Sequence, residues 1–106
     1  MNRGDVYLID FEPALGQEIQ KMRPAVIISN DVSNRQLERV QVVPITSKAA
    51  RVYKSEARTT LNGMEGKATA SQLTTVSNLR MKRKLGSLTA GEMAAIDEAI
   101  RWQLDL

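Results

Sequence analysis

Pro24-Ala25-Val26-Ile27-Ile28-Ser29 is an apolar run too short for a typical helix, and its reading decides the fold class. Its β-branched content predicts a strand, and the lack of polar alternation predicts burial on both faces. Pro24 suits the first position of such a strand, where a missing N–H does least harm. Working backwards, Val6-Tyr7-Leu8-Ile9-Asp10-Phe11 is a second β-type run. Asp10 falls in register with Val6 and Leu8, so its alternation is imperfect. Turn residues Glu12 to Gly16 end it, and Gln17 to Met22 is polar and predicts a loop.

Working forwards, Asn30 to Asn34 predicts a turn-rich connector, and Val40-Gln41-Val42-Val43-Pro44-Ile45-Thr46 a third strand. Pro44 inside it implies an edge or a bulge. The stretch from Ser47 to Gly66 is polar and basic, with a weak strand near Arg58 to Leu61, and is the expected mobile segment. Lys67 to Val76 predicts one further strand, Ser77 to Arg80 a helical turn, and Lys84 to Ser87 a short strand. Thr89 and Glu92 have capping-box spacing, and Leu88 and Met93 occupy the positions of a hydrophobic staple. Met93, Ile96, Ile100 and Leu104 form one apolar stripe, with Asp97 and Arg101 paired at i,i+4. A helix is expected over about residues 90–103. Short, irregularly joined strands with one terminal helix predict a strongly bent antiparallel sheet or small β-barrel.

The chain has 106 residues, so residues 1–106 are expected to form a single domain. It contains neither cysteine nor histidine. Disulfides, thiol nucleophiles, Ser-His-Asp catalysis and ordinary zinc sites are thereby excluded within the chain. No apolar run reaches the roughly 18 residues of a membrane span, and the first residues lack the apolar stretch of a signal peptide. A cytoplasmic protein is expected.

The net charge of +3 is unevenly spread. Residues 35–84 carry eleven basic side chains against three acidic ones, whereas the segments on either side are net acidic. A basic middle between acidic ends predicts a face for a polyanion; a merely solvated basic surface is the alternative. Arg23 at a strand entrance is able to fork onto a phosphate, or to pair with Glu18. Thr46-Ser47-Lys48 offers hydroxyls and a cation at a strand exit, where ordinary strand-end polarity also serves. Gln72 suits a base edge or open solvent. Trp102 suits helix packing better than stacking.

Together these pieces resemble the MazF/PemK/Kid family, the toxins of bacterial type II toxin–antitoxin pairs. The resemblance is carried by Arg3-Gly4-Asp5-Val6-Tyr7, Asp10-Phe11-Glu12-Pro13, Gly16-Gln17-Glu18, Arg23 to Asn30 and Val43-Pro44-Ile45-Thr46, and it extends to Ala70-Ser71-Gln72-Leu73 and the closing helix. It implies an SH3-like β-barrel with a C-terminal helix, a homodimer, no cofactor, and a sequence-specific, metal-independent endoribonuclease cutting single-stranded RNA. It implies a cognate antitoxin with a partly disordered acidic C-terminal segment as partner. By motif, Arg23 and Thr46 map to the catalytic pair, with Glu18 beside them. Gln20, Lys21, Ser47, Lys48, Arg51, Gln72 and Arg80 are the RNA-contact candidates. Where many relatives have small residues before Arg-Pro, this chain has Gln20-Lys21-Met22, which should stiffen a loop that gates the site in relatives. A CcdB-like gyrase poison shares the fold, but such chains end in Trp-Gly-Ile and lack the Arg-Pro pair. A non-catalytic RNA-binding module of the same fold has no need of both Arg23 and Thr46.

The chemistry is feasible without histidine, because an RNA phosphodiester carries its own nucleophile, the adjacent 2′-OH. Arg23 supplies donors that tighten as negative charge accumulates on phosphorus. The Thr46 hydroxyl donates to a phosphoryl oxygen or relays a proton. A guanidinium with a pKa above about 12 is a poor base, which leaves Glu18 or a positioned water to take the 2′-OH proton. Cleavage of RNA should therefore survive EDTA. Loss with the chelator and recovery on adding magnesium would replace this mechanism with an acidic metal site.

Overall fold

The computed structural model describes residues 1–12, 16 and 21–106. Seven strands run β1 Asp5–Asp10, β2 Met22–Ile27, β3 Arg39–Thr46, β4 Glu56–Leu61, β5 Met64–Thr69, β6 Thr74–Ser77 and β7 Met81–Ser87. Two helices, α1 Asp31–Gln36 and α2 Ala90–Leu104, complete the described elements with two single 3-10 turns at Ala70–Gln72 and Asn78–Arg80. All the strand pairings are antiparallel, in the order β4-β5-β3-β2-β1-β7 with β6 beside β3. The result is a curled, SH3-like half-barrel with one C-terminal helix.

The curl originates in β3, which holds β2 on one side and two different strands in succession on the other. Its ladder to β6 ends at Val42 and its ladder to β5 begins at Ile45. Pro44 falls in that gap while still opposing Ala25 of β2. The proline therefore marks an exchange of partners inside a central strand, a third outcome beside the expected edge or bulge.

Two apolar cores lie on the two faces of this sheet. Val26, Val43 and Ile45 join Val6, Ala57, Ala68 and the α2 residues Met93 and Ile96 on one face. Ala25, Ile27, Val40 and Val42 join Ile9, Phe11 and Val76 on the other. Ala25, Val26 and Ile27 are fully buried, as the unalternating run requires.

Five sequence expectations change. Asn30–Asn34 is not merely a connector: Asn30 caps the Ser33 N–H at 2.8 Å and α1 follows. That helix is held by its cap and by bonds between Asn34 and Ser29, and has no apolar stripe to announce it. The expected strand over 67–76 is broken by the 3-10 turn at Ala70–Gln72, where the chain turns from the β4–β5 hairpin onto β3. The polar stretch after Ser47 contains that hairpin, whose Asn62-Gly63 tip has positive φ at both residues, the signature of a type I′ turn. Finally, Asp97 pairs with Arg3 and Arg101 with Glu98, replacing the expected Asp97–Arg101 pair. Leu104 is exposed, and Ala99 takes the buried place in the α2 stripe.

The helix docks mainly through its apolar face. Burial of a side chain such as Ile96 is worth about 1.5–3 kcal/mol, against about 0–1 kcal/mol for an exposed pair such as Arg101–Glu98. Its N-terminus is fixed by the capping box and by one bond to the sheet. Thr89 Oγ1 accepts from the Glu92 N–H at 3.2 Å, and the Glu92 carboxylate accepts from the N–H groups of Thr89 at 2.9 Å and Thr60 of β4 at 2.6 Å.

Burial alone would raise the Glu92 pKa; the bonds from Thr89 and Thr60 outweigh it and hold the carboxyl below its ordinary 4.5. Because the folded value lies below the unfolded one, this stabilisation is complete above pH 4.5 and is lost as pH falls through the folded value. Glu92→Gln keeps a side chain suited to the box but does not titrate. Its urea midpoint should fall less steeply below pH 4.5 than that of the wild type, and parallel acid limbs would contradict this account.

Candidate functional site

The β2–β3 ladder ends at the pair Ala25 and Pro44, and Arg23 and Thr46 lie two residues beyond that last pair on the two neighbouring strands. Continuing the antiparallel register carries both toward the same place. Arg23 and Thr46 accordingly line one groove of about 320 Å³ with Pro24, Ile45 and Ser47. Its far wall is the β4–β5 hairpin, through Thr59, Leu61, Met64 and Gly66, and β7 contributes Leu85. The hairpin tip is tied to β7 by a bond from the Asn62 amide to the Leu85 carbonyl at 3.0 Å.

The Arg23 side chain is exposed, and no hydrogen bond or ion pair among the described residues engages it. Its donors are therefore available to a bound anion. The Thr46 hydroxyl accepts the Lys48 N–H at 3.3 Å, which leaves its proton free to be donated. That bond also folds Ser47 and Lys48 back beside the strand end.

The remaining sequence candidates are distributed unequally. Ser47 lines the groove, and Lys48 and Arg51 follow it on the exposed loop. Lys21 is exposed; its positive φ lets its N–H reach the Glu12 carboxylate at 3.0 Å while its carbonyl accepts from Phe11. Gln72 lies in the 3-10 turn, half-buried, and is absent from the residues lining the groove. Arg80 donates to the carbonyls of Asp10 and Glu12, holding the end of β1. Lys84 of the same basic cluster pairs with Asp5 at 3.4 Å, while Lys82 and Arg83 stay exposed. Glu18 and Gln20 lie outside the described residues.

Sequence reading missed a second group beside Thr46. Lys67 of β5 stands opposite Thr46, and Arg58 of β4 stands opposite Lys67, so all three share one face. The Lys67 ammonium bonds the Arg51 carbonyl at 2.6 Å and the Glu56 carboxylate at 2.9 Å. Burial raises the Glu56 pKa, but the Tyr53 N–H and Lys67 more than reverse it, and the group stays below its ordinary value. The Asn-Gly dipeptide at 62–63 was the available signal, since it announces the hairpin that brings these strands together.

A profile of the PemK-like, MazF-like toxins of type II toxin–antitoxin systems matches residues 2–104. "Endoribonuclease MazF9" of Mycobacterium tuberculosis is 38% identical, over 100% of this chain and 98% of that protein. "Endoribonuclease MazF" of Staphylococcus saprophyticus is 34% identical, over 100% and 92%. The fold is similar to that of MazF from Deinococcus radiodurans, with a TM-score of 0.86 at 23% identity, covering 100% of this chain and 97% of that one. It is also similar to that of a mycobacterial endoribonuclease solved in complex with its cognate antitoxin, with a TM-score of 0.84 at 24% identity, covering 100% and 96%.

Gly66 keeps the groove's walls in place. A Cβ there would stand 2.7 Å from the Thr46 carbonyl oxygen and 3.1 Å from Ile45 Cγ2. Since the nearer atom is backbone, Gly66→Ala should push the end of β3 aside and cost about 1–3 kcal/mol of stability. Gly91→Ala, whose new Cβ meets only Thr89 Oγ1 at 4.0 Å, should be neutral or stabilising. Equal denaturant midpoints for the two variants would contradict this reading of Gly66.

Proposed function

The chain belongs to the PemK-like, MazF-like toxin family of type II toxin–antitoxin systems and is an endoribonuclease of MazF type, and from that premise we propose that it cuts single-stranded RNA in the groove between Arg23 and Thr46. The observation that carries the assignment of the site is that the Arg23 guanidinium, which has no partner among the described residues, lines one groove with Thr46. The 2′-oxygen attacks phosphorus and the bond to the 5′-oxygen of the next nucleotide breaks. The products are a 2′,3′-cyclic phosphate and a 5′-hydroxyl. Arg23 offers paired donors to the phosphoryl oxygens, and their bonds strengthen as negative charge builds. The free proton of Thr46 goes to a phosphoryl oxygen or is relayed toward the leaving group. The 2′-OH proton passes to Glu18 or to a water.

The protein acts as a homodimer in the cytoplasm, where its RNA substrate is. No described helix is long and apolar enough to cross a membrane. An antitoxin whose acidic tail is disordered alone is the complementary partner for the basic surface formed by Arg23, Lys48 and Arg51. It inhibits by taking the place of RNA.

The test is to incubate the purified protein with a long RNA and map the ends. The expected result is cuts at one short motif, bearing cyclic phosphates and 5′-hydroxyls. Arg23→Ala should lose about 10²–10³ in turnover, as removal of one such donor does elsewhere, or about 3–4 kcal/mol; Thr46→Ala should lose less. Wild-type turnover in a folded Arg23→Ala protein would overturn the assignment.

A further inference from the structure

The proposed function uses the groove and, from the loop that follows it, only the charges of Lys48 and Arg51. Between β3 and β4 that loop presents Tyr53, which is 56% exposed. Its backbone is nevertheless fixed at both ends. The Tyr53 N–H donates to the Glu56 carboxylate at 3.0 Å, and the Tyr53 carbonyl accepts from the Glu56 N–H at 2.9 Å. Two further bonds hold the loop against the hairpin, Arg58 Nη1 to the Ala49 carbonyl at 2.7 Å and Lys67 Nζ to the Arg51 carbonyl at 2.6 Å. An open aromatic ring thus stands on a braced loop.

Two cations attend the ring, and they are not equivalent. Lys67 Nζ lies 5.6 Å from the ring centroid and is largely buried, with both the Arg51 carbonyl and the Glu56 carboxylate as acceptors. It stays where it is. The Arg51 guanidinium lies 5.4 Å from the centroid, is exposed, and pairs with no carboxylate among the described residues. An exposed cation–π contact is weak and readily exchanged. Lys67 also fixes where this ring sits, because Lys67 stands opposite Thr46 at the groove.

We propose that Tyr53 is a base-stacking platform for the RNA strand that runs past Thr46, and that Arg51 leaves the ring for a phosphate as the base arrives. This rests on the nuclease reading above and deepens it by naming a substrate-binding residue outside the groove. Base stacking on an aromatic ring tolerates any base, so Tyr53 contributes affinity and register while the target motif is read elsewhere. A ring already braced in its binding position loses little freedom when a base docks. Stacking is made in the ground state and the transition state alike, so its loss raises KM and leaves kcat nearly unchanged.

The test begins with the cut site that the wild type makes in a long RNA. A short RNA spanning that site is then made in copies with one abasic nucleotide at each flanking position in turn. Tyr53→Leu should raise KM about ten-fold with kcat close to wild type, and Tyr53→Phe should match the wild type. At one abasic position the wild type should lose a similar factor, while Tyr53→Leu loses nothing further. The proposal fails if Tyr53→Leu keeps the wild-type KM on intact RNA, or if Tyr53→Phe is impaired as much as Tyr53→Leu. Should Tyr53→Leu not fold, the abasic scan on the wild type decides: no sensitive position overturns the platform. A wild type that leaves RNA intact, with Arg23→Ala indistinguishable from it, overturns the nuclease reading itself, a result separate from all of these.

Discussion

The register of β3 is the constraint on which the rest depends. Eight residues of one strand serve three neighbours, with β2 on one side and β6 then β5 on the other. The change of partner at residues 43 and 44 bends the sheet, and curling gives each face its own core. On one face α2 closes the core with Met93 and Ile96. On the other, Phe11 and Val76 help to close a second core over Ile27 and Val42. A one-residue slip of β3 against β2 would exchange these two sets, placing Val43 and Ile45 on the wrong core. Register is therefore fixed by burial on both faces, which is a stronger hold than a one-sided sheet has.

The same register builds the site. Arg23 and Thr46 come together because they lie two residues beyond a buried pair, Ala25 and Pro44. The groove thus inherits its geometry from a fully buried part of the sheet. Its other wall is a hairpin pinned at the tip by Asn62 and along β4 by Glu92 of α2. Such support suits the proposed reaction, in which donors are already aimed at developing charge. The exposed basic side chains serve a different end, since cations on a surface attract a polyanion from a distance and lose influence as salt rises. Within the Arg80–Lys84 cluster these roles divide: Arg80 is spent on the β1 backbone and Lys84 on Asp5, leaving Lys82 and Arg83 to solvent.

Features that depend on neighbours in sequence were legible without coordinates. The apolar run at 24–29 read correctly as a strand buried on both faces over Ala25 to Ile27, because burial on both faces removes alternation. Its bounds did not: β2 begins two residues earlier, at Met22, and ends at Ile27, so that Pro24 is its third residue and not its first. Thr89 and Glu92 read correctly as a capping box, because capping is completed within four residues. The family itself was legible from the order of short motifs around Arg23 and Thr46. Elements that answer to distant parts of the chain were misread. α1 has no stripe, the break at Ala70–Gln72 is a corner demanded by β3, and Asp97 turns to Arg3 instead of its helical neighbour Arg101.

The sequence by itself determined the approximate positions of β1, β2 and β3, the terminal helix, the exclusion of histidine and thiol chemistry, and the residue types available to hold a phosphate. These follow from side-chain chemistry and spacing, which no fold can alter. Only the tertiary structure decided that Arg23 and Thr46 line one groove, that Arg80 is occupied, and that Tyr53 stands exposed beside Lys67. Each of those is a statement about which strand lies against which and in what register. That is settled by the burial of two cores at once, and a linear pattern does not contain it.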